Sequence, residues 1–328
     1  MKDRKSPSSA DHFYSDHSAH SLKKHGKSFY FASFFLYKDT AHKAARLYHF
    51  CRILDDIVDE SNASDSKTSE KLDRIASDLK RGQGTSDLTR DFLDMAQEQD
   101  IDINAALYLI DGVREDQKQV RIKTQADLIQ YCYKVAGVVG LMMCPVLGVK
   151  DRKAFAYAID MGIAMQLTNI ARDVLEDAQN GRRYIPSTMA GDLDVTDILK
   201  SKEIFRNNLQ NCVCQILDIA DRYYQSGFDG LAYLPPRSRL AIMIAAKVYR
   251  QIGTVIKAND CDIWQGRAYV SFPRKLTLAG GGIIDFGKLS LSLPENQPVH
   301  DSDLHLNLQG FPGAHPPDLK ERLNNDTD

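Results

Sequence analysis

Asn169, Asp173 and Asp177 stand four residues apart in the stretch Asn169-Ile-Ala-Arg-Asp-Val-Leu-Glu-Asp177. On an α-helix, residues so spaced share one face and stack one above the next. Two carboxylates and an amide in a row call for a positive partner. A hard cation, Mg²⁺ above all, suits them, because it takes oxygen ligands and is held by one or two carboxylates together with substrate phosphates. The alternative for such a stretch is a solvated acidic face. A second stretch weighs against that: Tyr48-His-Phe-Cys-Arg-Ile-Leu-Asp55-Asp56-Ile-Val-Asp59-Glu60 repeats the four-residue step from Asp55 to Asp59, with Arg52 one turn earlier. Two acidic faces more than a hundred residues apart, each preceded by helical apolar spacing, predict two helices that confront each other across a cavity, share metal ions and hold a diphosphate between them.

The elements that must position these faces read as helices almost throughout. Aromatic spacing from Ser18 to about Leu36 predicts a first helix, and Thr40 caps a second running to Asp59. That second helix carries carboxylates at its C-terminal end, where the helix dipole is already negative, a local rule broken in a way that points to bound cations. Ser61–Ser69 reads as a polar linker, and Leu72, Ile75 and Leu79 mark a helix ended by Gly82. Thr124 and Asp127 form a capping box before a helix that runs into Gly137 and Gly140. Glycine inside a helix costs about 1 kcal/mol relative to alanine. Those at 137, 140 and 148 therefore serve either close helix packing or room for an apolar tail, with Val138, Val139, Leu141, Met142 and Met143 lining a dry tunnel.

Asp151 opens the helix of the second acidic stretch, which stops at Gly181; Arg182 and Arg183 follow, suited to gripping diphosphate oxygens in a fork. Two further helices cover Phe205–Phe228 and Pro235–Lys257, the latter opened by a proline pair. After Arg274 the Gly280-Gly-Gly282 triplet and scattered prolines predict a mobile tail with at most a short docked segment.

Composition sets the outer limits. Among 328 residues, 43% are hydrophobic and 26% charged, and the net charge is -2. That is an ordinary soluble globular balance with no reason to expect nucleic acid as a partner. The first twenty residues lack the apolar core of a secretory signal, and Val135–Val149 is an uncharged run of 15 residues, short of the roughly 20 that a membrane span needs. A cytoplasmic protein, in peripheral contact with a membrane at most, is the expectation. Cys51, Cys132 and Cys144 read as reduced core thiols, and Cys212-Val-Cys214 lacks a second pair at zinc spacing. Gly280–Gly282 is not a dinucleotide fingerprint.

The two acidic stretches resemble the motifs of the squalene and phytoene synthases, the head-to-head isoprenyl diphosphate synthases, which read D-x-x-x-D and N-x-x-x-D-x-x-x-D. The likeness extends to His25-Gly-Lys27-Ser28-Phe29-Tyr30, Tyr131-Cys-Tyr-Lys-Val-Ala-Gly137-Val-Val-Gly140, Gly181-Arg182-Arg-Tyr184-Ile-Pro186 and Trp264-Gln-Gly-Arg267-Ala-Tyr-Val-Ser271. Gly266 departs from it where relatives often carry a second arginine.

The resemblance implies an all-α, single-domain helical bundle around a central cavity, with an isoprenoid synthase domain over 21–275, a polar segment over 1–20 and a mostly irregular tail over 276–328. It implies condensation of two geranylgeranyl diphosphates to phytoene through a cyclopropylcarbinyl diphosphate, the bacterial phytoene synthases being the nearest in wording. Asp55, Asp59, Asn169, Asp173 and Asp177 would hold Mg²⁺, with Mn²⁺ as a substitute, and the four aspartates together with Arg52 would be catalytic. His25, Lys27, Ser28, Tyr48, Arg52, Gln166, Arg172, Arg182, Tyr249 and Arg267 would contact substrate. NADPH is not expected, because phytoene formation ends in loss of a proton rather than gain of a hydride. The alternatives are a squalene, presqualene diphosphate or dehydrosqualene synthase acting on farnesyl diphosphate, a terpene cyclase, and a non-catalytic assembly factor of the same fold. Retention of all five metal-ligand candidates favours an enzyme.

Overall fold

Helix α8, Ala154–Gln179, is the axis of the molecule. In this computed structural model, which describes residues 18, 21–24, 26–59, 66–117, 119–200, 203–291 and 298–314, it packs against the helical stretch 125–146 and the two long helices over 203–229 and 236–258. Its 26 residues bury Ile159, Ile163, Leu167, Ile170 and Val174 at steps of three and four, the spacing of one core-facing stripe. Before it come α1 (Lys27–Ser33), α2 (Lys38–Asp59), α3 (Ser66–Arg81), α4 (Asp87–Gln99), α5 (Ile103–Glu115), α6 (Gln125–Cys132) and α7 (Val138–Val146). After it come the short α9 (Ser187–Ala190) and α10 (Val195–Leu199), then α11 (Glu203–Asp229), α12 (Pro236–Ala258) and α13 (Phe272–Leu291). Among the described residues the single β-type pairing is a bridge between Arg121 and Arg183, so the all-α expectation holds.

The local signals behave as their chemistry requires. Ser86 and Thr89 cap α4 reciprocally, and Thr124 and Asp127 do the same for α6. Gly82, at φ +63°, ends α3 in the left-handed region that favours glycine. Pro236 opens α12 at a position where its missing N–H has no helical partner to lose. The second helix starts at Lys38, two residues before the expected cap at Thr40, and the expected linker 61–69 is already helical from Ser66.

Two corrections concern length. Residues 125–146 form one continuous rod, because a π-helical turn over Tyr133–Gly137 joins α6 to α7 without a break. At 22 residues it reaches the length of a membrane span, which the reading of Val135–Val149 did not allow. Its place is nevertheless the middle of the bundle, with Leu128, Cys132, Tyr133 and Val138 fully buried. The chain beyond Arg274 is helical to Leu291, where irregular tail was expected: Gly280 and Gly281 have open space around them, and Gly282 sits against Ile244 of α12. Helix α13 packs on α12, so tertiary contact outweighs the low helix propensity of three glycines. The segment 298–314 is docked on the bundle; Pro316 and Pro317 lie outside the described residues.

Cys51, Cys132, Cys144 and Cys212 are buried free thiols. Cys214 and Cys261, 47 residues apart in sequence, form a disulfide between α11 and the chain after α12. Nothing in their spacing marks that pairing.

Candidate active site

Helices α2 and α8 each bring one member of their acidic stretch, Asp55 and Asn169, to one cavity, whereas Asp59, Asp173 and Asp177 are not among its lining residues. Asp55, Tyr48 and Cys51 line it from α2, and Met161, Gly162, Met165, Gln166 and Asn169 line it from α8. The remaining walls are mainly apolar, including Phe29 of α1, Val139 and Met143 of α7, and Ala241, Ala245 and Tyr249 of α12. Of the five residues expected to line a tunnel, only Val139 and Met143 do so. Val138, Leu141 and Met142 turn into the core, because side chains spread over more than a full helical turn cannot all share one face.

Arginines occupy part of the acidic cluster. Arg52 pairs with Asp56, Arg172 with Asp173, and Arg182 Nη1 donates to Asp59 Oδ1 at 3.2 Å, tying the loop after α8 to the end of α2. Arg267 reaches Asp173 at 2.9 Å and Glu176 at 3.3 Å, so one arginine serves the second stretch where Gly266 replaces its neighbour. Asp55 and Asp177 have no such cation partner among the described residues. Burial pushes each carboxyl up to about 7, with Arg52 opposing and Asp59 adding at Asp55, and Asp173 adding and Arg182 opposing at Asp177. Asn169 donates from Nδ2 to Gln166 Oε1 at 3.2 Å, but its Oδ1 is buried without a donor.

An orphaned carbonyl oxygen and two carboxyls driven toward the neutral form are what a site for a hard divalent cation looks like when only its protein ligands are considered. Asp55, Asn169 and Asp177 fit Mg²⁺ in that sense, whereas Asp59 and Asp173 are held by Arg182 and by Arg172 and Arg267.

The other expected contacts are unevenly placed. Tyr48, Gln166 and Tyr249 line the cavity, and Phe29 stands between the two tyrosines, with ring centroids 6.3 Å from Tyr48 and 5.2 Å from Tyr249. Burial pushes the Tyr48 phenol up to about 12 and raises that of Tyr249, so both present neutral hydroxyls. Lys27 and Ser28 open α1, on the helix that also carries Phe29; Lys27 is exposed and stands near Lys275. His25 lies outside the described residues.

A profile described as squalene/phytoene synthase matches residues 22–274. The chain belongs to the squalene/phytoene synthase family. It is 34% identical to the phytoene synthase of Pseudescherichia vulneris over 80% of this chain and 89% of that one. To the 15-cis-phytoene synthase of Enterobacter agglomerans it is 35% identical over 77% and 89%. Among solved structures, a dehydrosqualene synthase in complex with a ligand superposes with a TM-score of 0.76 at 28% identity, over 85% of this chain and 98% of that one.

One acidic residue of this synthase-family site lies outside both stretches. Asp116, just past α5, accepts hydrogen bonds from Tyr131 Oη at 2.9 Å and Tyr184 Oη at 2.7 Å. Burial pushes its carboxyl up to about 6 against those two bonds and Arg182. Its charge is felt at both Asp55 and Asp177, so it belongs to the same field. The sequence signal was faint: an acidic pair, Glu115-Asp116, at a helix C-terminus, the misplacement already seen in α2.

The three raised carboxyls make stability depend on pH in a definite direction. Between the ordinary value of 3.8 and their folded values of about 6 to 7, the folded chain holds protons that the unfolded chain has released. That contribution is complete at acid pH and is lost as pH rises through 6–7. Without divalent ions, Tm should therefore be higher at pH 6 than at pH 8. Added Mg²⁺ with inorganic diphosphate should raise Tm more at pH 8, where the ligands are already ionised. Scanning calorimetry at the two pH values measures both; an equal shift at each would contradict the assignment.

Proposed function

We propose that this chain is a phytoene synthase that joins two geranylgeranyl diphosphates head to head, through a cyclopropylcarbinyl diphosphate, and releases two diphosphates. The observation that carries the reading is one apolar cavity whose lining includes Asp55 and Asn169 from two acidic helices, in a chain about a third identical to phytoene synthases over most of its length. Mg²⁺ held by Asp55, Asp59, Asn169, Asp173 and Asp177, or Mn²⁺ in its place, would supply Lewis-acid stabilisation of the departing diphosphate.

The chain's own groups do the rest. Arg172, Arg182 and Arg267 already lie along the two acidic stretches and offer donors to diphosphate oxygens. Departure of the first diphosphate leaves an allylic cation among Phe29, Tyr48 and Tyr249, whose ring faces suit positive charge. The double bond of the second substrate attacks that cation, and a proton is lost to close the cyclopropane. A second ionisation, rearrangement and proton loss give the central triene. The walls exclude water, which would otherwise trap either cation as an alcohol.

A squalene-type outcome would require hydride from NADPH at the last cation. The test is purified protein with geranylgeranyl diphosphate and Mg²⁺ but no NADPH. A C40 hydrocarbon with the ultraviolet spectrum of a conjugated triene is expected. Product formed solely from farnesyl diphosphate plus NADPH would sink the phytoene reading and leave the metal site standing.

Cytoplasmic location with peripheral contact to lipid is part of this reading, since substrate and product are greasy. Supporting it, Phe34, Tyr37 and Phe272 are 67%, 62% and 64% exposed beside the cavity-lining Ser33 and Leu36. Floating vesicles should carry the protein upward in a density gradient and release it on carbonate wash; protein that stays at the bottom would refute the contact.

A further inference from the structure

The segment 298–314 is bound to the bundle by a set of buried side chains that the reaction described above does not use. Tyr157 Oη donates to the Pro298 carbonyl at 2.6 Å, Tyr223 Oη to Leu304 at 2.7 Å, and Tyr133 Oη to Pro312 at 2.6 Å. At the centre is Asp160 of α8, fully buried. His300 Nε2 and Ser226 Oγ meet its Oδ2 at 2.8 and 2.5 Å, and His305 Nε2 meets its Oδ1 at 2.9 Å. A carboxylate in such a place is costly unless its lone pairs are taken up. Burial raises this carboxyl, yet the hydrogen bonds from the two imidazoles outweigh it and leave it below the usual range. Asp160 is thus a fixed acceptor that grips the segment at two points five residues apart.

What that grip controls is visible one turn earlier on α8. Tyr157 lines the cavity, 12 residues before Asn169 and hence about 18 Å along the helix from it. Ala158, Met161, Gly162 and Met165 line the wall between the two. Tyr157, with Ala154 one turn beyond it, therefore lies in the part of the cavity remote from Asp55 and Asn169, toward which the tail of a prenyl chain extends. Its ring is boxed in. A Cβ on Gly230 would come within 2.2 Å of the Tyr157 Cβ, the Tyr233 ring lies 5.6 Å away, and the His300 ring meets it edge-on at 5.1 Å. Two of the restraints on this wall residue, Pro298 and His300, belong to the C-terminal segment.

We infer that Tyr157 is a specificity-determining residue for prenyl chain length and that the C-terminal segment is its positioning element, clamped through Asp160. The inference rests on the reading of the substrates as prenyl diphosphates. A chain longer by one isoprene unit has to displace the Tyr157 ring, and the ring can swing aside only if Pro298 and His300 let go.

The experiment offers wild type and variants a mixture of geranylgeranyl diphosphate and its C25 homologue with Mg²⁺ and reads the ratio of products by mass spectrometry. Tyr157→Ala should raise the share of C25-derived product about tenfold, since even single methylenes are discriminated on that scale in apolar pockets. Tyr157→Phe, which keeps the bulk but loses the tether to Pro298, should move it in the same direction by less. His305→Ala, remote from the cavity wall, should do likewise by loosening the clamp. A merely structural role would lower turnover of both substrates together and leave the ratio unchanged. Folded Tyr157→Ala and His305→Ala proteins with the wild-type ratio would overturn the inference while the phytoene synthase reading stood. Wild type inert toward every prenyl diphosphate would remove that reading and this inference with it.

Discussion

Asp55→Asn is expected to lower kcat by about a thousandfold while leaving the protein as stable as wild type or more so. The change removes one metal ligand and one negative charge without altering the size of the side chain. Loss of a single preorganised group that stabilises developing charge costs on the order of 10² to 10³ in kcat, and a missing ligand weakens metal binding as well. Stability should move the other way, because burial already pushes the Asp55 carboxyl up to about 7 and the Asp59, Asp116 and Asp56 charges add to that strain. A neutral amide relieves it. Asp173→Asn should lose activity comparably, but it also strips Arg172 of its partner and leaves Arg267 with Glu176 alone, so its Tm should fall slightly. Steady-state kinetics with circular dichroism and calorimetry on both variants provide the check. Folded Asp55→Asn protein with near-normal turnover would show that the two stretches are not the metal site.

Gly162→Ala is expected to be among the most destabilising single-methyl changes in the bundle. A Cβ at Gly162 of α8 would lie 2.3 Å from the Ala136 carbonyl oxygen, and one at Gly140 of α7 would lie 2.2 Å from that of Ala158. Both obstacles are backbone atoms in the interiors of packed helices, so relief requires moving α8 against the rod 125–146 rather than turning a side chain. Overpacking of that kind costs about 3 kcal/mol, which corresponds to a fall in Tm of about 4 °C for a chain of this size. Gly280→Ala supplies the contrast: nothing lies within 4 Å of its Cβ position in α13, and alanine there should stabilise by about 0.5–1 kcal/mol. Thermal unfolding without substrate separates the two; Gly162→Ala within a degree or two of wild type would mean that the helices are not held at this spacing. The glycines of the rod thus serve close helix approach, and the cavity beside Val139 and Met143 is a consequence of where the two helices touch.

What the sequence by itself determined is whatever repeats within a few residues. Steps of four placed Asp55 with Asp59 and Asn169 with Asp173 and Asp177 on single helix faces, because helix geometry alone carries side chains at that spacing into register. Capping at Thr124, the stop at Gly82 and the start at Pro236 were legible for the same reason: each is a contact between near neighbours in the chain. The tertiary structure decided everything that depends on which distant residues meet. It drew Asp116 into the acidic cluster, set Arg182 on Asp59, joined Cys214 to Cys261, and kept α13 helical through the Gly280–Gly282 triplet. It also turned Val138, Leu141 and Met142 into the core and carried His300 and His305 about 140 residues back along the chain to Asp160. No periodicity encodes such meetings, because they arise from the shapes of whole packed faces. A methyl group at Gly162 would change them while leaving every local signal intact.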